Sequence, residues 1–150
     1  MVHNPTAGDG RPSAADLTRI LEECGFQVRY RSSKKDWRKG LQEKADVIAI
    51  AGGDGTVAKV LKELRGSELP AALIPIGTAN NVARTLGVSG DAREIVAGWD
   101  RDESHAFDVG LIADGDRELL FVESAGGGLF AQLMIDASAE VDKAGSLVGS

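Results

Sequence analysis

The sequence predicts a Rossmann-like α/β fold in which helices cover a mostly parallel sheet. Short apolar runs typical of strands alternate with helical patterns, as they do in parallel sheets with crossover helices. The chain has 150 residues, of which 43% are hydrophobic and 27% charged, which fits about one globular domain and excludes disordered or collagen-like chains. From about Ser104 onward, strand patterns follow one another without helices between them. We therefore expect an α/β domain over residues 1–103 and the beginning of an incomplete β-rich domain over residues 104–150.

The first helix is predicted over residues 13–25. Ser13 is a favoured N-cap, Asp16 three residues later completes a variant of the capping box, and Gly25 stands where helices commonly end. Apolar side chains recur between them at helical spacing, at Leu17, Ile20, Leu21 and Cys24. Similar patterns predict further helices at Trp37–Lys44, Thr56–Arg65, Ala79–Leu86 and Ala92–Trp99, and a weaker one at Leu129–Val141.

Val47–Ala51 is predicted to be a central strand. Its residues are apolar without alternation, which indicates burial on both faces of a sheet. Gly115 and its neighbours are turn residues typical of a β-hairpin, so we expect the strands around them to pair. The other predicted strands are a short one before Asn4, then Phe26–Tyr30, Ala72–Pro75, Ala106–Ala113 and Glu118–Ser124.

The charges argue against nucleic-acid binding. The chain has 17 Lys and Arg against 23 Asp and Glu, a net charge of -6, and so lacks a general attraction to phosphate backbones. A basic stretch nevertheless lies within residues 29–44, with cations at Arg29, Arg31, Lys34, Lys35, Arg38, Lys39 and Lys44. A solvated surface is the ordinary interpretation of such a run. The alternative is a docking face for anionic membrane headgroups.

The short apolar runs and the single cysteine favour a cytoplasmic location. The longest apolar run, Val47–Ala51, is far shorter than the ~20 residues of a membrane span, and the N-terminus lacks a signal-peptide pattern. Cys24 has no second cysteine to pair with, and one cysteine with two histidines is too few for a zinc site. We expect a cytoplasmic protein whose membrane contact would be peripheral, at the inner membrane surface.

The strongest chemical pattern is the glycine loop Gly52–Thr56. It directly follows the buried strand and directly precedes an amphipathic helix. Ligands of open α/β sheets bind at the carboxyl ends of the strands, and a helix start there offers N–H groups to an anion. Asp54 would repel bound phosphates unless a divalent cation intervened or the aspartate handled a proton, which suggests Mg²⁺-dependent phosphoryl chemistry. The alternative is that Asp54 only caps its helix.

Two other phosphate-binding patterns fit this loop less well. The P-loop requires a Lys-Ser/Thr pair after its last glycine, whereas Val57 follows Thr56 here. Residues 53–58 match the G-x-G-x-x-A form of the dinucleotide pattern, but Gly77 and Thr78 stand where its acidic residue is expected. We therefore exclude Walker-type chemistry and disfavour dinucleotide redox binding.

Two further loops are expected at the same edge of the sheet. Pro75–Asn81 repeats the order of strand, glycine turn and helix start, and its Thr78 and Asn80 could hydrogen-bond phosphate, ribose or base. The alternative is that these two side chains only cap the following helix. Asn4–Gly8 ends the short first strand and reaches the same edge if that strand is parallel.

Together, the three loops resemble the catalytic domain of the diacylglycerol kinase family, which includes soluble bacterial lipid kinases and is related to sphingosine and ceramide kinases. Ser32 and Ser33 fall where the family has a hydroxyl pair. The motif G-G-D-G-T alone also occurs in NAD kinases and phosphofructokinases. Three stretches match family motifs in the family's order: Asn4–Gly8 resembles N-P-x-[SA]-G, Gly52–Thr56 resembles G-G-D-G-T, and Pro75–Leu86 resembles P-x-G-T-x-N-[DN]-x-A-R.

The resemblance implies an ATP-binding α/β domain followed by a β-sandwich domain, with a lipid substrate entering between them. It implies that Asp54 is the catalytic residue and lies beside Mg²⁺. It implies nucleotide contacts from Asn4, Gly8, Ser32, Ser33, Gly53, Asp54, Gly55, Thr56 and Thr78. One departure is Ala58–Lys59, where the family commonly has Asn-Glu, although Lys59 could reach a phosphate.

The expected function is therefore an ATP- and Mg²⁺-dependent kinase that phosphorylates a hydroxyl group of a lipid such as diacylglycerol. The alternatives are an enzyme similar to NAD kinases, which share the glycine loop, and a non-catalytic nucleotide-binding module.

Overall fold

The computed structural model describes residues 1–99, 103–115 and 117–123. Within them a four-stranded parallel sheet has the order β2-β1-β3-β4, and β5 and β6 form a separate antiparallel pair. The α/β class is confirmed. The strands are β1 (Val2–His3), β2 (Arg31–Ser32), β3 (Ile48–Gly52), β4 (Ala71–Pro75), β5 (Gly110–Asp114) and β6 (Arg117–Phe121). The helices are α1 (Ala14–Glu23), α2 (Trp37–Gly40), α3 (Asp54–Glu63), α4 (Asn81–Thr85) and α5 (Ala92–Ala97).

Strand β3 is the central strand, as its apolar sequence predicts. All five of its residues are buried, and it pairs with β1 on one side and β4 on the other. The register joins Gly52 of β3 to Pro75 of β4 and Ala51 of β3 to His3 of β1. The three strands therefore end at nearly the same level, and the loops that follow them meet at one edge.

Two apolar layers hold the helices on opposite faces of this sheet. Side chains alternate along β3, so Ile48 and Ile50 face the layer of α3 and α4, while Ala49 and Ala51 face the layer of α1 and α5. Burying each large aliphatic side chain contributes roughly 1.5–3 kcal/mol. The first layer includes Val57, Val60, Val82, Ala83 and Trp37. The second layer includes Leu17, Leu21, Ile74 and Val96.

The second strand lies later in the chain than Phe26–Tyr30, where the apolar pattern predicts it. Phe26 and Val28 pack against the α1 layer, so their apolar character reflects packing rather than strand pairing. Pairing with β1 begins at Arg29, whose carbonyl accepts a 2.7 Å hydrogen bond from the amino group of Met1. It continues to Ser33, whose N–H donates to the carbonyl of His3 at 2.7 Å. The strand prediction was therefore wrong by several residues.

The antiparallel hairpin predicted after Ser104 is confirmed. Strands β5 and β6 pair from Gly110–Phe121 to Asp114–Arg117, and Gly115 takes a positive φ of 57° in the turn between them. Val122, just after β6, packs against the α3 layer. The division of the chain at residue 103 stays a prediction, and the predicted helix Leu129–Val141 lies outside the described residues. In the described ranges, no helix is both long enough and apolar enough to cross a membrane.

Candidate functional site

A cleft of about 300 Å³ opens at the carboxyl edge of the parallel sheet. Its walls come from the segments that follow each of the four parallel strands, together with the start of α3. Ligands of open parallel sheets bind at this edge. The lining residues are Asn4, Ala7, Ser33, Lys34, Gly53, Asp54, Gly55, Thr56, Lys59 and Gly77.

The loops that form the cleft touch through their backbones at glycines. A Cβ atom on Gly53 would lie 3.2 Å from the Cα of Gly77, and one on Gly77 would overlap the Cα of Gly53. Gly8 has a positive φ of 58°, and a Cβ there would lie 2.6 Å from the carbonyl oxygen of Ile76. Side chains at Gly8 and Gly77 would separate the loops, so these glycines allow the close approach that closes the cleft.

The N-terminus of α3 faces the cleft with unsatisfied donors. Its N-cap is Gly53, which has no side chain with which to accept a bond. The N–H groups of Thr56 and Val57 donate to the Gly53 carbonyl at 2.9 and 3.1 Å, but those of Asp54 and Gly55 have no acceptor among the described residues. Such donors, with the positive end of the dipole of a ten-residue helix, are suited to an anion. A Cβ on Gly55 would meet no atom within 4 Å, so space for a ligand adjoins these donors.

Asp54 links the two glycine loops instead of capping its own helix. One carboxylate oxygen, Oδ1, accepts a 3.0 Å hydrogen bond from the N–H of Val82 at the start of α4. The other oxygen has no hydrogen-bond partner among the described residues. Mg²⁺ is commonly bound by one or two carboxylates together with substrate phosphates and waters. The described residues contain no cluster of three or more His, Cys, Asp or Glu that could hold a metal ion.

The second glycine loop uses its polar side chain internally. The Asn80 side chain accepts a 3.0 Å bond from the Gly77 N–H and donates a 2.7 Å bond to the Gly77 carbonyl. Asn80 also has a positive φ of 52°, which asparagine tolerates better than most residues. Thr78 is exposed and is not one of the residues that line the cleft. Gly77 lines the cleft with its N–H already bonded, so this loop serves as part of the wall.

Comparison with known proteins decides the family. A family model described as "Diacylglycerol kinase catalytic domain" matches residues 1–112. The chain belongs to this diacylglycerol kinase family. The resemblance noted from the three loops is thereby confirmed.

Individual relatives carry lipid-kinase names. "Probable lipid kinase YegS-like" of Stenotrophomonas maltophilia is 32% identical over 83% of this chain and 40% of its own length. "Diacylglycerol kinase" of Staphylococcus saprophyticus is 24% identical over 99% of this chain and 50% of its own length. "Diacylglycerol kinase" of Mycobacterium tuberculosis is 35% identical over 46% of this chain. The chain spans about half or less of the length of these relatives.

The residues that the diacylglycerol kinase resemblance implied as nucleotide contacts divide into two groups. The cleft brings together Asn4, Ser33, Gly53, Asp54, Gly55 and Thr56. Outside its lining lie Gly8, Ser32 and Thr78. Gly8 supports the loop contact described above, and the Ser32 hydroxyl accepts a 3.3 Å bond from the N–H of Lys34. Their roles toward a nucleotide stay predictions.

Two cations in the cleft were not among the predicted nucleotide contacts, although the sequence suggested that Lys59 could reach a phosphate. Lys34 and Lys59 both line the cleft, together with the single carboxylate of Asp54. Lys34 belongs to the basic stretch. Ser32 and Ser33, the hydroxyl pair directly before Lys34, are a sequence signal that could have placed this lysine at the strand end. His3 adds no charge nearby, because burial lowers the pKa of its imidazole. The described cleft thus has more positive than negative side chains.

Proposed function

We propose that this chain forms the nucleotide-binding part of an ATP- and Mg²⁺-dependent lipid kinase that phosphorylates a hydroxyl group of diacylglycerol or a related lipid. The observation that carries this proposal is the open N-terminus of α3, which faces the same cleft as Asp54. Membership of the diacylglycerol kinase family supports the reaction class. We further propose that residues 104–150 begin the domain that contacts the lipid.

The residues of the cleft fit the groups that this reaction needs. The free N–H groups of Asp54 and Gly55 would bind phosphate oxygens, and the Thr56 hydroxyl would stand beside them. The oxygen of Asp54 that does not bind Val82 would hold Mg²⁺. When bound, Mg²⁺ neutralises charge on the phosphates as the terminal phosphoryl group moves to the lipid hydroxyl. Most of the protein's contribution to such a transfer is positioning.

We also propose that the basic stretch touches anionic headgroups from the cytoplasmic side. Its arginines are engaged: Arg31 binds Glu43, and Arg38 binds Glu63 with a 2.6 Å contact between Nε and Oε1. Its lysines have no carboxylate partner within the described part of the chain. Replacing Lys35 and Lys39 by Gln should weaken binding to phosphatidylglycerol vesicles, and the loss should shrink as salt rises. Equal vesicle binding by the variant would remove this proposal.

Transfer of ³²P from [γ-³²P]ATP tests the reaction. The longest form of the protein that its gene encodes would be incubated with Mg²⁺ and a panel of acceptors that includes diacylglycerol, sphingosine, ceramide and NAD. We expect label in a lipid and none in NAD. Label in NAD alone would favour an enzyme similar to NAD kinases. ATP binding without transfer to any acceptor would favour a non-catalytic nucleotide-binding module.

A further inference from the structure

Lys59 bridges the two walls of the cleft. It lies on α3, four residues after Gly55 and therefore on the same face of the helix. Its ammonium nitrogen donates a 3.1 Å hydrogen bond to the carbonyl oxygen of Ser33, at the end of β2. The same nitrogen lies 5.4 Å from the centre of the Trp37 ring. These two contacts hold the ammonium group at the cleft instead of leaving it in solvent.

A neighbouring ion pair leaves Lys59 without a carboxylate. Glu63 follows four residues later on α3, the spacing at which Lys and Glu side chains commonly pair. Glu63 instead accepts a 2.6 Å bond from Nε of Arg38, whose guanidinium group also lies 4.8 Å from the centre of the Trp37 ring. No carboxylate of the described residues lies within ion-pair distance of Lys59.

The unused capacity of Lys59 matches a phosphate. An ammonium group has three N–H donors, and one of them is occupied by Ser33. Lys59 lines the same cleft as the free N–H groups of Asp54 and Gly55, so its other two donors are available to a ligand there. A nucleoside triphosphate brings several negative charges, which Mg²⁺ would only partly offset.

From these contacts we propose that Lys59 is a phosphate-binding residue for the polyphosphate of the nucleotide. This inference rests on the proposed function. It assigns a specific role to the position where this chain departs from the family's common Asn-Glu pair. Lys59 would contact phosphate oxygens directly, and Trp37 and Ser33 would keep its ammonium group in place.

Calorimetric binding of ATP, inorganic tripolyphosphate and adenosine tests this role. Lys59→Met keeps the long apolar stem beside Trp37 but removes the charge, and we expect it to weaken ATP and tripolyphosphate binding by about tenfold. Adenosine affinity should not change, and Lys59→Arg should restore most of the ATP affinity. Lys62→Met is the matched control, because it removes the same charge from the same helix but from outside the cleft. Urea unfolding of each variant would confirm that its fold is intact.

The outcomes separate this inference from the kinase proposal. ATP and tripolyphosphate binding by Lys59→Met as tight as that of the unchanged chain would overturn the assignment, even if phosphoryl transfer is observed. Lys59-dependent tripolyphosphate binding without transfer to any acceptor would uphold it and count against the kinase reaction. If Lys59→Met lost binding to phosphatidylglycerol vesicles but kept its tripolyphosphate binding, Lys59 would be assigned to lipid headgroups. That result would also overturn the nucleotide assignment. Absence of binding to both ATP and tripolyphosphate in the unchanged chain would overturn both proposals.

Discussion

The two glycine loops at the edge of the sheet look alike in sequence but differ in what they present to the cleft. Each follows a strand and precedes a helix. After β4, the Asn80 side chain bonds both backbone polar groups of Gly77, and the N–H of Val82 is bonded by Asp54. After β3, the N–H groups of Asp54 and Gly55 have no acceptor among the described residues. At the cleft, the loop after β4 therefore serves as structural support, whereas the loop after β3 offers free donors to a ligand.

The other helix starts sharpen this contrast. Helix α1 is closed by a capping box between Ser13 and Asp16, and α5 by one between Asp91 and Glu94. The four-residue helix α2 also lacks a side-chain cap, but it is too short to build up a substantial dipole. Of the two longest helices described, α1 has its N-terminus capped by side chains, whereas α3 presents its N-terminus to the cleft.

The largest expected effect comes from Asp54→Asn. The asparagine oxygen can still accept the bond from Val82, so the contact between the two loops and the stability should be kept. Removing the negative charge should lower phosphoryl transfer by at least about 100-fold, because metal binding supplies several kcal/mol to such reactions. Turnover and the urea midpoint would be measured side by side. Asp54→Ala should in addition lose roughly 1 kcal/mol of stability, since the Val82 N–H loses its acceptor. Normal turnover of Asp54→Asn would refute the catalytic role.

Gly77→Ala tests the structural role of the second loop. The new methyl group would overlap the Cα of Gly53, so the loops would have to separate. We expect the free energy of unfolding to fall by roughly 1–3 kcal/mol, the usual cost of overpacking. Chemical denaturation gives this value directly. An unchanged unfolding midpoint would mean that the two loops do not depend on their backbone contact.

Gly55→Ala should have the opposite effect on stability. This glycine lies within α3, and a Cβ there meets no atom within 4 Å. Alanine should stabilise the helix by roughly 0.5–1 kcal/mol. The methyl group should also occupy ligand space and weaken ATP binding by about tenfold, the effect of about 1.4 kcal/mol. A variant that is more stable and binds ATP equally well would show that phosphates do not approach Gly55.

The smallest expected effect is on the pH dependence of stability, through Asp16 in the capped start of α1. Hydrogen bonds from the side chain and backbone of Ser13 hold the pKa of Asp16 below its ordinary value. A carboxyl with a lowered pKa in the folded state stabilises the fold above about pH 4, and this contribution is lost as pH falls through the folded pKa. Asp16→Asn should therefore flatten the acid limb of the stability profile without changing ATP affinity. A changed ATP affinity of Asp16→Asn would contradict the expectation that the start of α1 takes no part in ATP binding.

Local patterns made much of the fold predictable from sequence. The capping boxes at Ser13 and Asp91 involve residues three apart, so the starts of α1 and α5 were predicted correctly. The strand before Ser33 was misplaced, because pairing with β1 is a contact between distant parts of the chain. Phe26 and Val28 carry the apolar pattern but use it for packing.

The site likewise combines features set by local sequence patterns with contacts between distant parts of the chain. The position of Gly53 and Asp54 after a buried strand was sufficient to predict the cleft. The bond between Asp54 and Val82 spans 28 residues, and the bond between Lys59 and Ser33 spans 26, so no local pattern could indicate either. Asn80 appeared as a candidate ligand because sequence does not show that its amide binds Gly77.

Amide chemical shifts of the ¹⁵N-labelled chain, recorded during titration with MgATP, test the open start of α3 most directly. We expect the signals of Asp54 and Gly55 to move most, while the signal of Asp16 in the capped start of α1 stays in place. No movement at Asp54 and Gly55, under conditions where MgATP binds elsewhere on the chain, would contradict the phosphate site.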